Sequence, residues 1–132
     1  MNKKIVVILG AFHKHEGDEM LDEVTKYASE NNLDIIDVVW VPGSMEKPFA
    51  LKKAFMNESV DGAVLLGIIE KGETKHGMIM ASSVLNAIIN LQLEFMKPAG
   101  VGILGPEISP SQIPVRVRPY ARAAVVALHK ML

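Results

Sequence analysis

The chain has 132 residues, of which 49% are hydrophobic and 5% aromatic, with a formal net charge of −1 at pH 7 and no Cys. This length fits a single domain over residues 1–132 that is large enough to bury a core. The absence of Cys excludes disulfides, thiolate metal sites and a Cys nucleophile. The near-neutral charge gives no electrostatic reason to expect nucleic acid or an anionic membrane as a partner.

Four short apolar runs alternate with helical patterns along the chain. They are typical of strands buried on both faces and read "KIVVILGA", "DIIDVVWV", "GAVLLGII" and "AGVGIL". The segments between and after them predict helices that begin near Asp18, Pro48, Gly77 and Pro119, with "GPEISPSQIP" as a loop. Strict alternation of this kind predicts an α/β fold, with a four-stranded parallel sheet between two layers of helices.

The carboxyl ends of the predicted strands carry unusual polar segments. Ligands bind at this edge of an open parallel sheet. Four segments should converge there, namely Ala11 to His13, Gly43 to Glu46, Glu70 to His76, and Gly105-Pro106. The third of them, "EKGETKH", combines glycine, Thr and Lys residues with a His at a helix start, which is typical of an anion site beside a proton shuttle. Exposed polar residues and a helix cap are the alternative interpretation.

Three arginines follow the fourth strand, and one of them could reach the same anion. They are Arg116, Arg118 and Arg122, although surface charge is the simpler interpretation of any single one. Glu46, after a Pro-Gly turn, either binds ligand hydroxyls or caps the helix that begins at Pro48.

Two further patterns carry no site. "GVGILG" matches the dinucleotide pattern G-x-G-x-x-G, but its glycines lie inside a predicted strand and indicate close helix packing or the approach of a ligand instead. His13 and His15 lie near Glu16 and Asp18, an arrangement more typical of a solvated loop than of a metal site. No metal is therefore predicted.

The third predicted helix, "MIMASSVLNAIINLQLEF", is apolar around nearly its whole circumference. One core-facing stripe would suffice for a helix at the surface of a small domain. The excess predicts a symmetric homo-oligomer in which the outer side of this helix packs against another subunit. Because no apolar run has membrane-spanning length and no secretion signal is recognisable, a soluble cytoplasmic protein is expected.

Four motifs in order resemble the lumazine synthase family over nearly the whole chain. They are "AFH", "VVWVPGSMEKPFALKKA", "LLGIIEKGETKHG" and "GILGPEISPSQIPVRV". The second is similar to the family's V-P-G-[AST]-[FY]-E-[IL]-P, and the third to its G-x-x-I-[RQ]-G-x-T-x-H. "GET" and "GILGP" look most like the archaeal-type branch. The resemblance implies a three-layer, flavodoxin-like α/β/α fold.

The resemblance also implies a reaction without metal or organic cofactor. 5-Amino-6-ribitylaminouracil would condense with 3,4-dihydroxy-2-butanone 4-phosphate to give 6,7-dimethyl-8-ribityllumazine, phosphate and water. The site would lie between subunits of a pentamer, or of a multiple of it. His76 would transfer protons, and Arg116 of an adjacent subunit would pair with the phosphate.

The same resemblance implies the other contacts with the substrates. Phe12 would stack on the pyrimidine, and Val101 would lie over that ring. The remaining substrate contacts are Ser44, Met45, Glu46, Ile69 and Lys71, and the phosphate cradle is Gly72, Glu73 and Thr74.

The sequence departs from the family pattern at several of these positions. Met45 replaces an aromatic residue, Lys47 an apolar one, and His13 an Asn. Two alternatives therefore stay open: a flavin- or lumazine-binding shell subunit without turnover, and an archaeal-type riboflavin synthase, which would not need a phosphate cradle.

Overall fold

The computed structural model describes residues 2–70 and 75–132. Its parallel sheet has the spatial order β2-β1-β3-β4, formed by β1 (Lys3–Gly10), β2 (Leu33–Val41), β3 (Gly62–Glu70) and β4 (Ala99–Ile108). The helices are α1 (Lys14–Glu30), α2 (Lys47–Phe55), α3 (His76–Phe95) and α4 (Ile113–Met131). The predicted three-layer, flavodoxin-like α/β/α fold is confirmed.

The central strand β1 divides the core into two halves. Its side chains alternate between the faces of the sheet. Ile5, Val7 and Leu9 pack with residues of α1 and α4, whereas Val6 and Ile8 pack with residues of α2 and α3. All five are at most 3% exposed. A continuous apolar run is therefore what this strand requires, because neither of its faces meets water.

Glycines of "GVGILG" bring α4 close to β4. A Cβ at Gly100 would collide with the backbone oxygen of Ala124, and one at Gly102 would lie 3.1 Å from the backbone oxygen of Tyr120. Both glycines lie inside β4 rather than in a turn that opens a helix. The interpretation of this pattern as a packing feature is confirmed.

The first helix starts earlier than the sequence predicts. A single 3₁₀ turn, Ala11–His13, leads from β1 directly into α1 at Lys14. Asp18 therefore lies inside the helix instead of capping it, and its carboxylate accepts a hydrogen bond from Lys14 Nζ at 2.7 Å. An ion pair between residues i and i+4 on the exposed face stabilises a helix. This pair explains why an Asp occupies position 18 although it does not cap the helix.

The segment between β4 and the last helix also differs from its prediction. β4 continues to Ile108, so that the first four of the ten residues of the expected loop are strand. Ser109 and Gln112 then form a reciprocal capping box, and α4 begins at Ile113 rather than at Pro119. Pro114 occupies the first turn of α4, where a missing N–H costs nothing, and Pro119 lies inside the helix. This places Arg116 on a helix.

Helix α3 has a short buried stripe and a broad exposed side. Ala81, Val84 and Ile88 are its buried residues, while Ile79 and Leu93 are 65% and 67% exposed. The helix is long and apolar enough to cross a membrane by length and composition alone, although core helices of soluble proteins pass the same test. Within this chain, only 22% of the most apolar 18-residue stretch of the helix is buried. Half of the 20 residues of α3 are exposed, so this apolar helix is only partly covered by its own fold.

Candidate active site

The carboxyl ends of β1, β2 and β3 surround a cavity of about 290 Å³. The turn after β1 contributes Phe12 and His13, and β3 and α3 contribute Ile68 and Met80. The segment after β2 supplies a continuous wall from Pro42 to Lys47. The strand order places β1 between the other two, and this is why three segments far apart in sequence meet here.

A second cavity, of about 280 Å³, adjoins the first and shares four lining residues with it. Ile69, Glu70, His76 and Gly77 complete its lining. His13 Nε2 lies 3.4 Å from a carboxylate oxygen of Glu70, which links the turn after β1 to the end of β3. The predicted residues His76, Ile69 and Phe12 are thus brought together, with His76 as the first residue of α3.

Phe12 presents its ring to solvent at the edge of both cavities. The side chain is 82% exposed and makes an edge-on contact with the His13 ring, with the ring centroids 5.1 Å apart. A large aromatic face at the mouth of a cavity offers apolar area to a flat ligand ring. This geometry is compatible with the predicted stacking.

A 3₁₀ turn, Ser44–Glu46, carries three predicted ligand contacts into the first cavity. Ser44 is buried, whereas Met45 is 58% exposed. Glu46 occupies the N-cap position of α2, but its side chain makes no capping hydrogen bond. Of the two roles considered for this carboxylate, side-chain capping is therefore wrong, and hydroxyl binding stays a prediction.

The three arginines of α4 have different surroundings. Arg118 Nη1 donates to Asp22 at 2.9 Å and Arg122 Nη1 to Glu23 at 3.2 Å, which ties α4 to α1. Hydrogen bonding to Arg118 lowers the pKa of the exposed Asp22 carboxyl. Arg116 Nη1 donates to the backbone oxygen of Gln112 at 3.2 Å. Among the described residues that line the two cavities, Arg116 does not occur.

Comparison with known proteins decides the family. The family model of 6,7-dimethyl-8-ribityllumazine synthase matches residues 2–132. The chain belongs to the lumazine synthase family. It is 36% identical to the 6,7-dimethyl-8-ribityllumazine synthase of Staphylothermus marinus over 98% of this chain and 86% of that protein. For the synthases of Metallosphaera sedula and Saccharolobus solfataricus the identities are 34% and 33%, over 97% and 98% of this chain and 85% and 84% of those proteins. These archaeal sources agree with the resemblance found in the motifs.

Several contacts expected of a lumazine synthase are not tested by this geometry. Lys71, Gly72, Glu73 and Thr74 lie outside the described residues. Val101 lies on β4, 36% exposed, and is not among the described residues that line either cavity. In residues 2–70 and 75–132, no group of three or more His, Cys, Asp or Glu side chains is arranged to hold a metal ion.

Lys47 is the feature of the site that the sequence did not predict. It occupies a position where the lumazine synthase pattern has an apolar residue, and its side chain is 0% exposed. Nζ donates a hydrogen bond to Ser44 Oγ at 3.0 Å. Burial lowers the pKa of Lys47 to about 8, although the neighbouring Glu46 carboxylate opposes the shift. The single available signal was the substitution itself, a Lys in an apolar position just before Pro48.

The buried amine should give the protein an unusual pH dependence of stability. The folded state releases the Lys47 proton near pH 8, whereas the unfolded chain releases it near 10.5, so the free energy of unfolding rises as the pH rises between these values. Relative to a Lys47→Met variant, wild-type stability should increase by about 2 kcal/mol between pH 7 and 9.5. Urea unfolding of both proteins, at equal chain concentration, measures this difference. If the free energies of unfolding of the two proteins changed equally with pH, this expectation would be contradicted.

Proposed function

We propose that the chain is a 6,7-dimethyl-8-ribityllumazine synthase of riboflavin biosynthesis. It condenses 5-amino-6-ribitylaminouracil with 3,4-dihydroxy-2-butanone 4-phosphate and releases phosphate. The observation that carries this proposal is the family match over residues 2–132, together with relatives of that name at 33–36% identity. The enzyme acts in the cytoplasm.

The two adjoining cavities support a division of the site into two parts. The pyrimidine stacks on Phe12, and its ribityl chain extends into the cavity formed by the turn Ser44–Glu46, where the Glu46 carboxylate accepts hydroxyl hydrogen bonds. The ketone phosphate lies toward His76 and the segment that follows β3. Binding both substrates side by side supplies much of the rate, because it converts a bimolecular encounter into a reaction within one complex.

Protons must move at each step of this condensation. Imine formation, phosphate elimination and ring closure all need a group that gives and takes protons near neutral pH. An imidazole is suited to this task, and His76 borders the cavity next to the end of β3. The two alternatives, a riboflavin synthase and a binding shell without turnover, have no comparable support.

Turnover with both substrates tests the proposal directly. Purified protein is mixed with the ribitylaminouracil and the ketone phosphate, and lumazine absorbance is followed against the uncatalysed reaction. A synthase accelerates product formation and releases phosphate in step with it. Binding of lumazine or a flavin without acceleration would favour the shell interpretation, and conversion of lumazine itself would favour a riboflavin synthase.

The active assembly is a pentamer or a multiple of it, with active sites between subunits. The exposed side of α3 supports self-association, because Ile79, Ile89 and Leu93 are each more than half exposed in the single chain. An apolar surface of this extent on a small domain is typical of an interface.

Charge placed on the exposed side of α3 should disrupt this assembly. Ile89 is 52% exposed, and its replacement by Asp would bury a carboxylate between subunits at a cost of several kcal/mol. The expected result is a shift from a multiple of five chains to smaller species in sedimentation velocity. Asn90→Asp is the matched control, because the adjacent side chain is exposed and already polar. Identical sedimentation of wild type and Ile89→Asp would place the interface elsewhere.

A further inference from the structure

We propose that His13 is a second proton-transfer residue of the synthase, and that the Glu70 carboxylate positions its imidazole. His13 serves the step in which the amine of the pyrimidine condenses with the carbonyl carbon of the ketone. This inference rests on the proposed function, because it takes the ribitylaminouracil and the ketone phosphate as the substrates. Neither His13 nor Glu70 belongs to the family pattern.

His13 and Glu70 are two departures from the family pattern that contact each other. His13 occupies the position where the pattern has Asn, and Glu70 coincides with the Ile of G-x-x-I-[RQ]-G-x-T-x-H. The two residues belong to different motifs and lie far apart in sequence, but His13 Nε2 is 3.4 Å from Glu70 Oε1. An Asn and an Ile in these places could not form an ion pair. A single functional pair therefore accounts for both departures.

The fold holds the His13 ring at a defined place. β1 and β3 are neighbouring parallel strands, so the turn that ends at His13 lies beside Glu70, the last residue of β3. An edge-on contact with the Phe12 ring is a second restraint on the imidazole. Lys14, the next residue along the chain, pairs with Asp18 and does not compete with His13 for the carboxylate. The His13 side chain is 18% exposed, so its ring is largely enclosed by these neighbours.

His13 lies where the two cavities of the site meet. Among the described residues, Phe12, His13, Ile68 and Met80 line both cavities, and of these four only His13 has a side chain that can transfer a proton. A pyrimidine stacked on Phe12 is also close to His13, because the two ring centroids are 5.1 Å apart. Its reacting amine must approach the ketone at the junction of the two cavities, and His13 lines that junction.

The other titratable groups of the site border one cavity each. Among the described residues, Glu46 and Lys47 line the first cavity, whereas Glu70 and His76 line the second. His13 is therefore the described group that is placed to exchange protons with both substrates.

Imine formation moves two protons from nitrogen to oxygen. The lone pair of the amine nitrogen attacks the ketone carbon, the carbonyl oxygen becomes a hydroxyl, and this hydroxyl leaves as water when the C=N bond forms. The nitrogen loses two protons and the oxygen gains two, so an imidazole that carries them ends in its original state. The Glu70 carboxylate stabilises the imidazolium between the transfers and faces Nε2, so that Nδ1 is the ring nitrogen for the exchange. His76 shares this work from the side of the ketone phosphate.

Replacing His13 with Asn tests this role with the residue that the family pattern has there, so the fold should tolerate the change. We expect kcat to fall about tenfold and both KM values to stay within about twofold, because His76 remains as a proton carrier. His15→Asn is the matched control, since His15 lies exposed on α1 and is not among the described residues that line either cavity. Steady-state lumazine formation measures these values, and sedimentation verifies the assembly.

Two further readouts separate proton transfer from a structural role. The pH profile of kcat should lose one ionisation between roughly pH 5 and 8 in His13→Asn but not in His15→Asn, because a proton carrier titrates in this range. Glu70→Gln keeps the size of the side chain and removes its charge. This substitution should lower kcat in the wild-type background and have no further effect in the His13→Asn background, because the carboxylate acts through the imidazole.

Each measurement can contradict the role of His13. Unchanged kcat in His13→Asn, an unchanged pH profile, or additive effects of His13→Asn and Glu70→Gln would overturn the proposal. An active wild type with unaffected variants would overturn this role alone. If the wild type formed no lumazine, the proposed function would be overturned, and the role of His13 with it.

Discussion

Replacing His76 with Ala is expected to lower kcat by about 10²- to 10⁴-fold, the usual effect of removing a positioned general acid or base. His76 is the first residue of α3 and borders the same cavity as Phe12 and Glu70. The imidazole should therefore carry protons during imine formation, phosphate elimination and ring closure. Steady-state lumazine formation measures the loss, and sedimentation verifies that the assembly is retained.

Chemical rescue separates proton transfer from a structural role of His76. Added imidazole can enter the space left by the His76→Ala substitution and restore part of kcat, whereas it cannot restore a displaced helix start. His15→Ala is the matched control, because His15 lies exposed on α1 and is not among the described residues that line either cavity. Full activity of His76→Ala would assign the proton transfer to another residue, with His13 as the next one to examine.

The strands and the face of the sheet that carries the site could be predicted because their signals are local. A buried parallel strand needs apolar residues on both faces, and "KIVVILGA" and "GAVLLGII" satisfy this without reference to the rest of the chain. The order of strand and helix then fixes the rim at which the loops meet. That Phe12, Glu46 and His76 lie at this rim followed from the order of the strands, whereas their roles were implied by the family resemblance and stay predictions.

The start of α4 could not be predicted in the same way. Pro114 and Pro119 each fit the first turn of a helix, so the sequence offers two starts of equal merit. The choice is made by tertiary contacts, since Gly100 and Gly102 of β4 let α4 pack closely and the Ser109–Gln112 capping box closes the preceding turn. Neither the close packing of α4 on β4 nor the capping box can be recognised from the residues around Pro119.

Lys47 was missed for a related reason. A Lys at the start of a helix is ordinarily an exposed residue, and its local sequence gives no other indication. Only the assembled sheet brings Gly10 and Gly67 to the two sides of the amine and removes it from water. The burial that lowers its pKa thus arises from strands that are far from it in sequence.

Replacing Arg116 with Ala is expected to lower kcat/KM by about 10²- to 10³-fold, because we expect its always-charged guanidinium to pair with the substrate phosphate through two hydrogen bonds. Arg116 lies on the first turns of α4 and does not occur among the described residues that line the cavities of its own chain. We therefore expect it to act in the site of a neighbouring subunit. Arg118→Ala is the control, since Arg118 is engaged with Asp22 and should leave kcat/KM unchanged.

Mixing the two inactive variants tests this assignment across the interface. If each site takes His76 from one chain and Arg116 from the next, co-expression of His76→Ala and Arg116→Ala chains in equal amounts leaves about a quarter of the sites with both residues intact. Lumazine formation should recover to roughly that fraction of the wild-type rate per site. If both residues of a site came from one chain, every site would lack one of them and no activity would return.

Comparing co-expressed chains with variants that are purified separately and then combined shows whether the activity requires sites shared between subunits. Variants purified separately and combined without subunit exchange should stay inactive, because their assemblies are already closed. Recovery that appears only after co-expression, and that disappears when Ile89→Asp is added to both chains, would tie the activity to the interface covered by α3. Retention of the recovered activity in that disrupted background would mean that His76 and Arg116 of different chains still meet without the exposed side of α3, and the shared interface would then lie elsewhere.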